Sequence, residues 1–174
     1  MEKTLAEILK EADSDLLNEI LREAESRLNA QLTTAIAADA RAMTFLGFIS
    51  AVAVATTGAG LAVYGEKPTL GVLALLTAIG FIVAAFFAFE AARPIDFELI
   101  GNDPASWKKD IQQRVSVHQA KAEQLAFYDE MIKANRKAMA DSAYQLQMAV
   151  RVAIGTTSIG GIFALLYVLG VISK

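Results

Sequence analysis

The 174 residues contain no cysteine, one histidine, one tryptophan and three prolines. Without cysteine there is no disulfide framework, no thiolate nucleophile and no sulfur-based metal site. His118 alone cannot build a zinc site or a Ser-His-Asp triad. On its predicted helix it reads as a surface or bundle residue rather than a ligand. No glycine-rich phosphate loop, metalloprotease helix or nucleophile elbow occurs. The one glycine-rich stretch, GTTSIGG, lies inside a hydrophobic run and reads as helix packing. Solvated carboxylates such as Asp129 and Glu130 add no catalytic pattern. No enzyme activity, cofactor or metal is expected. A net charge of −3 gives no attraction toward nucleic acid.

Charge is also missing from three long stretches, and that absence is the most informative. Residues 42–65, 69–89 and 152–172 carry no Asp, Glu, Lys or Arg. A bilayer's hydrocarbon core of ~30 Å takes about 20 apolar residues of helix, which each run supplies. With 55% of the chain hydrophobic and 20% charged, too little polar sequence remains to cover three such helices. The expectation is an all-α integral membrane protein with three transmembrane helices and a cytoplasmic helical bundle. The spans are expected at 42–65, 69–92 and 150–172. None reads as a cleavable signal, since about 40 charged, helix-forming residues precede the first.

Lys and Arg set the expected orientation. Five of the sixteen fall in residues 1–41 and nine in 93–151, whereas the 65–68 turn has only Lys67 and the tail only Lys174. Basic residues accumulate on the cytoplasmic side. The N-terminus and residues 93–147 are therefore expected on the cytoplasmic side of a bacterial inner membrane. The turn and the C-terminus are expected on the periplasmic or extracellular side.

The polar parts are patterned as helices. Leu5, Leu9, Ala12, Leu16, Ile20, Ala24, Leu28 and Leu32 recur at spacings of three or four, with Leu17 and Leu21 widening the stripe. This predicts an amphipathic helix over 1–41 with a coiled-coil-like seam, interrupted or restarted at Asp13-Ser14. Asn102 or Asp103 followed by Pro104 reads as the start of a second helical segment, 104–149. Its stripe comprises Ile111, Val115, Leu125, Tyr128, Ile132, Met139, Ala143 and Leu146. A straight helix over 105–150 would be roughly 65–70 Å long, whereas residues 93–103 reach at most ~35–40 Å. The segment must bend, break or lean. Residues 116–119, Asn135 and Asp141-Ser142 are its weakest helix formers. Residues 93–103 are expected to form an interfacial elbow, with Ile95, Phe97, Leu99 and Ile100 along the bilayer surface. Trp107 would anchor at the headgroups, and Lys108-Lys109 would meet anionic lipid.

Within the spans no ionisable residue sits near a centre, which argues against proton relays, coupled transport and voltage sensing. Glu90, Arg93 and Arg151 lie near the cytoplasmic ends, where a Glu90–Arg151 or a Glu90–Arg93 pair is expected. Small and hydroxyl residues are plentiful: Thr56, Thr57, Gly58 and Gly60 in the first span, Thr156, Thr157, Gly160 and Gly161 in the third. Such residues let helices approach closely and hydrogen-bond in lipid. They serve either packing within one chain or, in a homo-oligomer, a narrow polar path, since three spans enclose no pore alone.

A charged N-terminal helix, a tight two-span hairpin around GEKP and a following helical segment resemble the SLATT-type effectors of bacterial nucleotide-signalled defence systems. The resemblance covers roughly residues 15–147 and lies in layout; the third span departs from the two-span pattern. It implies a helical membrane protein that oligomerises and permeabilises the inner membrane on a signal from a cytoplasmic protein or small molecule. The chain also resembles small bacterial inner-membrane proteins in general, which implies no activity. Two functions follow as expectations: an oligomeric pore or membrane-perturbing effector gated by the cytoplasmic helices, and a non-conducting scaffold or adaptor recruiting a soluble partner.

Overall fold

The computed structural model describes residues 3–172. It is 84% helical, with no strand among the described residues. Helix α1 (Leu5–Leu9) begins in a capping box, where Thr4 Oγ1 accepts from Glu7 N–H and Glu7 Oε2 accepts from Thr4 N–H. Helix α2 (Ser14–Tyr64) starts where Asp13 Oδ1 accepts from the amides of Asp15 and Leu16 at 2.9 and 2.8 Å. A short turn leads to α3 (Pro68–Ala92), with proline in its first turn. The helix stops just ahead of Pro94, whose ring disfavours helical geometry in the residue before it.

Non-helical chain then runs to a 3₁₀ turn at Pro104–Trp107 and to α4 (Lys108–Gln113). Arg114 adopts a left-handed conformation, φ 54°, and breaks the chain there. Helix α5 (Val117–Val168) continues without interruption through Asn135 and Asp141-Ser142. The break thus falls at 114–116, next to the early weak patch rather than at either late candidate. At the far end Gly170 takes φ 73°, and Val171 N–H donates back to Leu166 O at 3.0 Å. That glycine-capped ending stops α5 at Val168 rather than carrying the helix to residue 172. Lys174 lies outside the described residues.

Helices α2, α3 and α5 are long and apolar enough to cross a membrane, which suggests a membrane protein. No more than 22% of the most apolar window of any of them is buried within the chain. At 51 and 52 residues, α2 and α5 far exceed the length a span needs.

The chain forms two compact units. Unit 1 comprises the residues up to Ile36 together with Ile95–Met139; unit 2 comprises Ala37–Pro94 and the residues from Ala140 onward. In unit 1, Leu9, Leu17, Ala122 and Leu125 form one buried cluster, and Leu28, Tyr128, Met131 and Ile132 another. The seam differs from the expected stripe. Leu17 is fully buried while Leu16 is 50% exposed, and Leu5 is exposed as well. With α2 restarting at Asp13, the face inward is Leu17, Leu21, Ala24 and Leu28, spaced four, three and four. On the second stripe Ile111 is 73% exposed and Ala143 is exposed, while Leu125, Tyr128 and Ile132 are buried. In unit 2 the core is Ile49, Ala53, Phe81, Ala84 and Ala153, with a second layer of Ala42, Ala91, Ala92 and Leu146. The small side chain of alanine lets these helices approach closely, the kind of contact that holds helices together in lipid.

Candidate functional site

The apolar helices of unit 2 meet through small residues, and α3 supplies one side of each closest approach. Gly60 of α2 faces Gly71 of α3. A Cβ at Gly71 would lie 2.8 Å from Tyr64 Cα and 3.0 Å from Gly60 O, so only glycine fits. Between α3 and α5 the pairing alternates. A Cβ at Gly80 would fall 2.4 Å from Thr156 Oγ1, and one at Gly160 would fall 2.9 Å from Thr77 Oγ1. Each threonine sits in the notch left by a glycine on the opposite helix.

Of the eight small residues singled out from sequence, Gly60, Thr156 and Gly160 are therefore used inside the chain. The hydroxyls of Thr56, Thr57 and Thr157 each donate to a carbonyl one turn earlier in their own helix, at 2.8 Å to Val52 O, Ala53 O and Ala153 O. Those donors need no water or partner. Gly58 and Gly161 have nothing within 4 Å of a built Cβ. The structure brings Thr56, Thr157, Gly160 and Gly161 to one groove with Thr77 and Phe81 of α3, and Thr57 and Gly58 to a shallower one beside Ile82. Gly71, Thr77 and Gly80 were the missing members. Their signal was small residues three and six positions apart in the second span, where attention to the first and third missed them.

A groove between α3 and α5 is lined by Leu76, Thr77, Gly80, Thr156, Ile159 and Phe163. It contains no titratable side chain, so it suits apolar contact and offers no acid, base or nucleophile. At the polar end of unit 2, Arg93 Nη1 lies 3.4 Å from Glu90 Oε2. Arg151 is exposed and enters no ion pair among the described residues, so Glu90 is matched with its neighbour along the chain. No group of histidine and carboxylate side chains suited to a metal occurs among the described residues.

Unit 1 holds the most constrained polar arrangement. Asn135 is 1% exposed and is the one buried polar residue in the described core. Its Oδ1 accepts from Glu98 N–H at 2.9 Å and its Nδ2 donates to Glu98 O at 3.0 Å. The carboxamide acts as a strand partner for one residue of the chain between α3 and the 3₁₀ turn. Further along, Gly101 N–H approaches the Tyr128 hydroxyl at 3.4 Å, and Asn102 bonds Gln124. Ile100, expected along a bilayer surface, packs instead against the Leu28–Tyr128 cluster. Trp107 is 39% exposed in its 3₁₀ turn, and Lys108 and Lys109 at the start of α4 are exposed. Asn135 was read from sequence as a weak helix former. Its position in step with Tyr128, Ile132 and Met139, spaced four, three and four, was the signal that it faces inward.

Elsewhere in unit 1, Lys10 Nζ pairs with Glu123 at 2.8 Å, and His118 Nε2 lies 3.2 Å from the Lys10 carbonyl. The bond from Lys10, then that from Gln119, holds the Glu123 carboxyl below its ordinary range.

No family model, curated protein or solved structure matches this chain.

Proposed function

We propose that this is a homo-oligomeric, multi-pass bacterial inner-membrane protein acting as a pore-forming or membrane-perturbing effector, gated through its cytoplasmic helices. In this reading unit 1 is the cytoplasmic bundle, and the turn at residues 65–68 lies on the opposite side of the membrane. A cytoplasmic protein or small molecule supplies the signal. The observation that carries the oligomer is the outer face of α2. Gly47, Ala51, Ala55, Gly58 and Ala62 are all exposed, fall at spacings of three and four, and leave a surface on which another helix can approach closely. The layout resemblance to SLATT-type effectors points the same way.

A second reading, a non-conducting scaffold that recruits a soluble partner through unit 1, is favoured by a different observation. The glycine–threonine notches at Gly80–Thr156 and Thr77–Gly160 use part of the expected polar path for packing within one chain. The backbone bonds of Thr56, Thr57 and Thr157 occupy three of its hydroxyl donors. Purified protein in nanodiscs and in dye-loaded liposomes separates the two. Several copies per disc with dye release supports the pore. A monomer, or an oligomer in vesicles that stay tight under every condition, removes it.

A further inference from the structure

The chain passes between the two units three times. Two passages, at Ile36–Ala37 and Met139–Ala140, lie inside the uninterrupted helices α2 and α5. The third, at Pro94–Ile95, lies in non-helical chain. It leads directly from the end of α3 into residues 95–102, a strap held against α5.

The hold is specific in register. As the strap advances from Glu98 to Gly101 to Asn102, its partners on α5 step back from Asn135 to Tyr128 to Gln124. Seven residues of helix between Asn135 and Tyr128 advance about 10 Å. The three residues from Glu98 to Gly101 reach at most about 10 Å. The reach of the chain therefore suffices to bring Glu98 and Gly101 to Asn135 and Tyr128 with little slack. Gly101, at φ 100°, turns the chain away at the end of the match. The strap has no neighbouring strand, and the Asn135 carboxamide alone satisfies both backbone groups of Glu98. Sliding by one residue would leave that buried carboxamide and a pair of backbone groups unmatched, a penalty that makes the strap either seated or released.

We propose that the strap is a latch: Asn135 holds it seated on α5, and its release is the step by which unit 1 acts on the membrane-side helix α3. The α3 end is the one part of unit 2 joined to unit 1 by chain that is not helix, so it is where a change in unit 1 can be passed on without bending a helix. The role in gating rests on the pore reading; the latch itself does not.

The absence of cysteine makes the test direct. Nitroxide labels are placed at Leu99→Cys on the strap, Phe89→Cys near the end of α3 and Asn29→Cys on the outer face of α2, all exposed positions, in full-length protein in nanodiscs. With Asn135→Leu, the Leu99 spectrum is expected to gain a mobile component and the Phe89 label to change its oxygen accessibility, while the Asn29 spectrum stays unchanged. A Leu99 label that stays immobile overturns the latch. So does a mobile strap with an unchanged Phe89 environment. Because Asn135→Leu alters a buried position, hydrogen exchange on the unaltered protein supplies an independent arm. The Glu98 amide is expected to exchange many-fold more slowly than the Asp96 amide, and exchange at the rate of open chain sinks the proposal. Strap release in vesicles that remain tight retains the latch and removes the pore.

Discussion

Glycines that look alike in the sequence differ sharply once their neighbours are known. Gly71→Ala would drive a methyl into the Tyr64 and Gly60 backbone, which has little freedom to move. A loss of about 1–3 kcal/mol is expected, the usual range for overpacking, read as a lower unfolding midpoint in detergent. Gly58→Ala meets nothing within its own chain. It should leave the monomer's stability unchanged or raise it by up to about 1 kcal/mol through helix propensity. Any loss of oligomer in nanodiscs on Gly58→Leu would then report an interface between copies. Glu123 gives a pH signature. Its carboxyl is held below the ordinary range by Lys10 and then Gln119, so its contribution is present above the unfolded value and lost as pH falls through the lower folded one. Glu123→Gln should therefore lower stability slightly at pH 7. The gap between variant and parent should close as the pH drops below the usual carboxylate range. The effect is small because the pair is open to solvent.

Helix ends show how far local chemistry decides an element. Asp13 receives two amide protons at the start of α2, and Asp13→Ala should cost about 1 kcal/mol and fray the first turn, visible as faster exchange at Asp15 and Leu16. Arg114 is the reverse case. A side chain in the left-handed region is unfavourable by roughly 1–2 kcal/mol, so Arg114→Gly should stabilise the α4–α5 junction. A raised thermal midpoint would confirm it. The Asp13 restart was legible in sequence because a cap acts within a few residues. Pro104 marks a start as expected, but of a 3₁₀ turn that neither the Asn102 nor the Asp103 side chain caps, with α4 following at Lys108. The break at 114–116 was only narrowed to a neighbourhood. Val115, Ser116 and Val117 are mediocre helix formers and carry no glycine or proline to mark the turn. The uninterrupted course of α5 through Asn135 was not legible. There, burial and two hydrogen bonds outweigh a propensity deficit of less than about 1 kcal/mol.

For the whole molecule, the cysteine-free background allows the proposed orientation to be tested one site at a time. Glu66→Cys is expected to react with a membrane-impermeant thiol reagent from outside spheroplasts, and Ser26→Cys and Arg136→Cys only after the membrane is opened. Reaction of all three from one side would overturn the three-span topology. The length and apolarity that suit three helices to cross a membrane follow from sequence because transfer into lipid depends on the sum of side chains over about 20 residues, a local quantity. Helical class follows for the same reason. The partners of each side chain do not. Leu17 rather than Leu16 faces inward, Gly80 receives Thr156, Glu90 joins Arg93, and Asn135 grips Glu98, 37 residues away in the chain. Those choices depend on the rotation of each helix about its axis and on which distant backbone comes within about 3 Å, and only tertiary packing sets them.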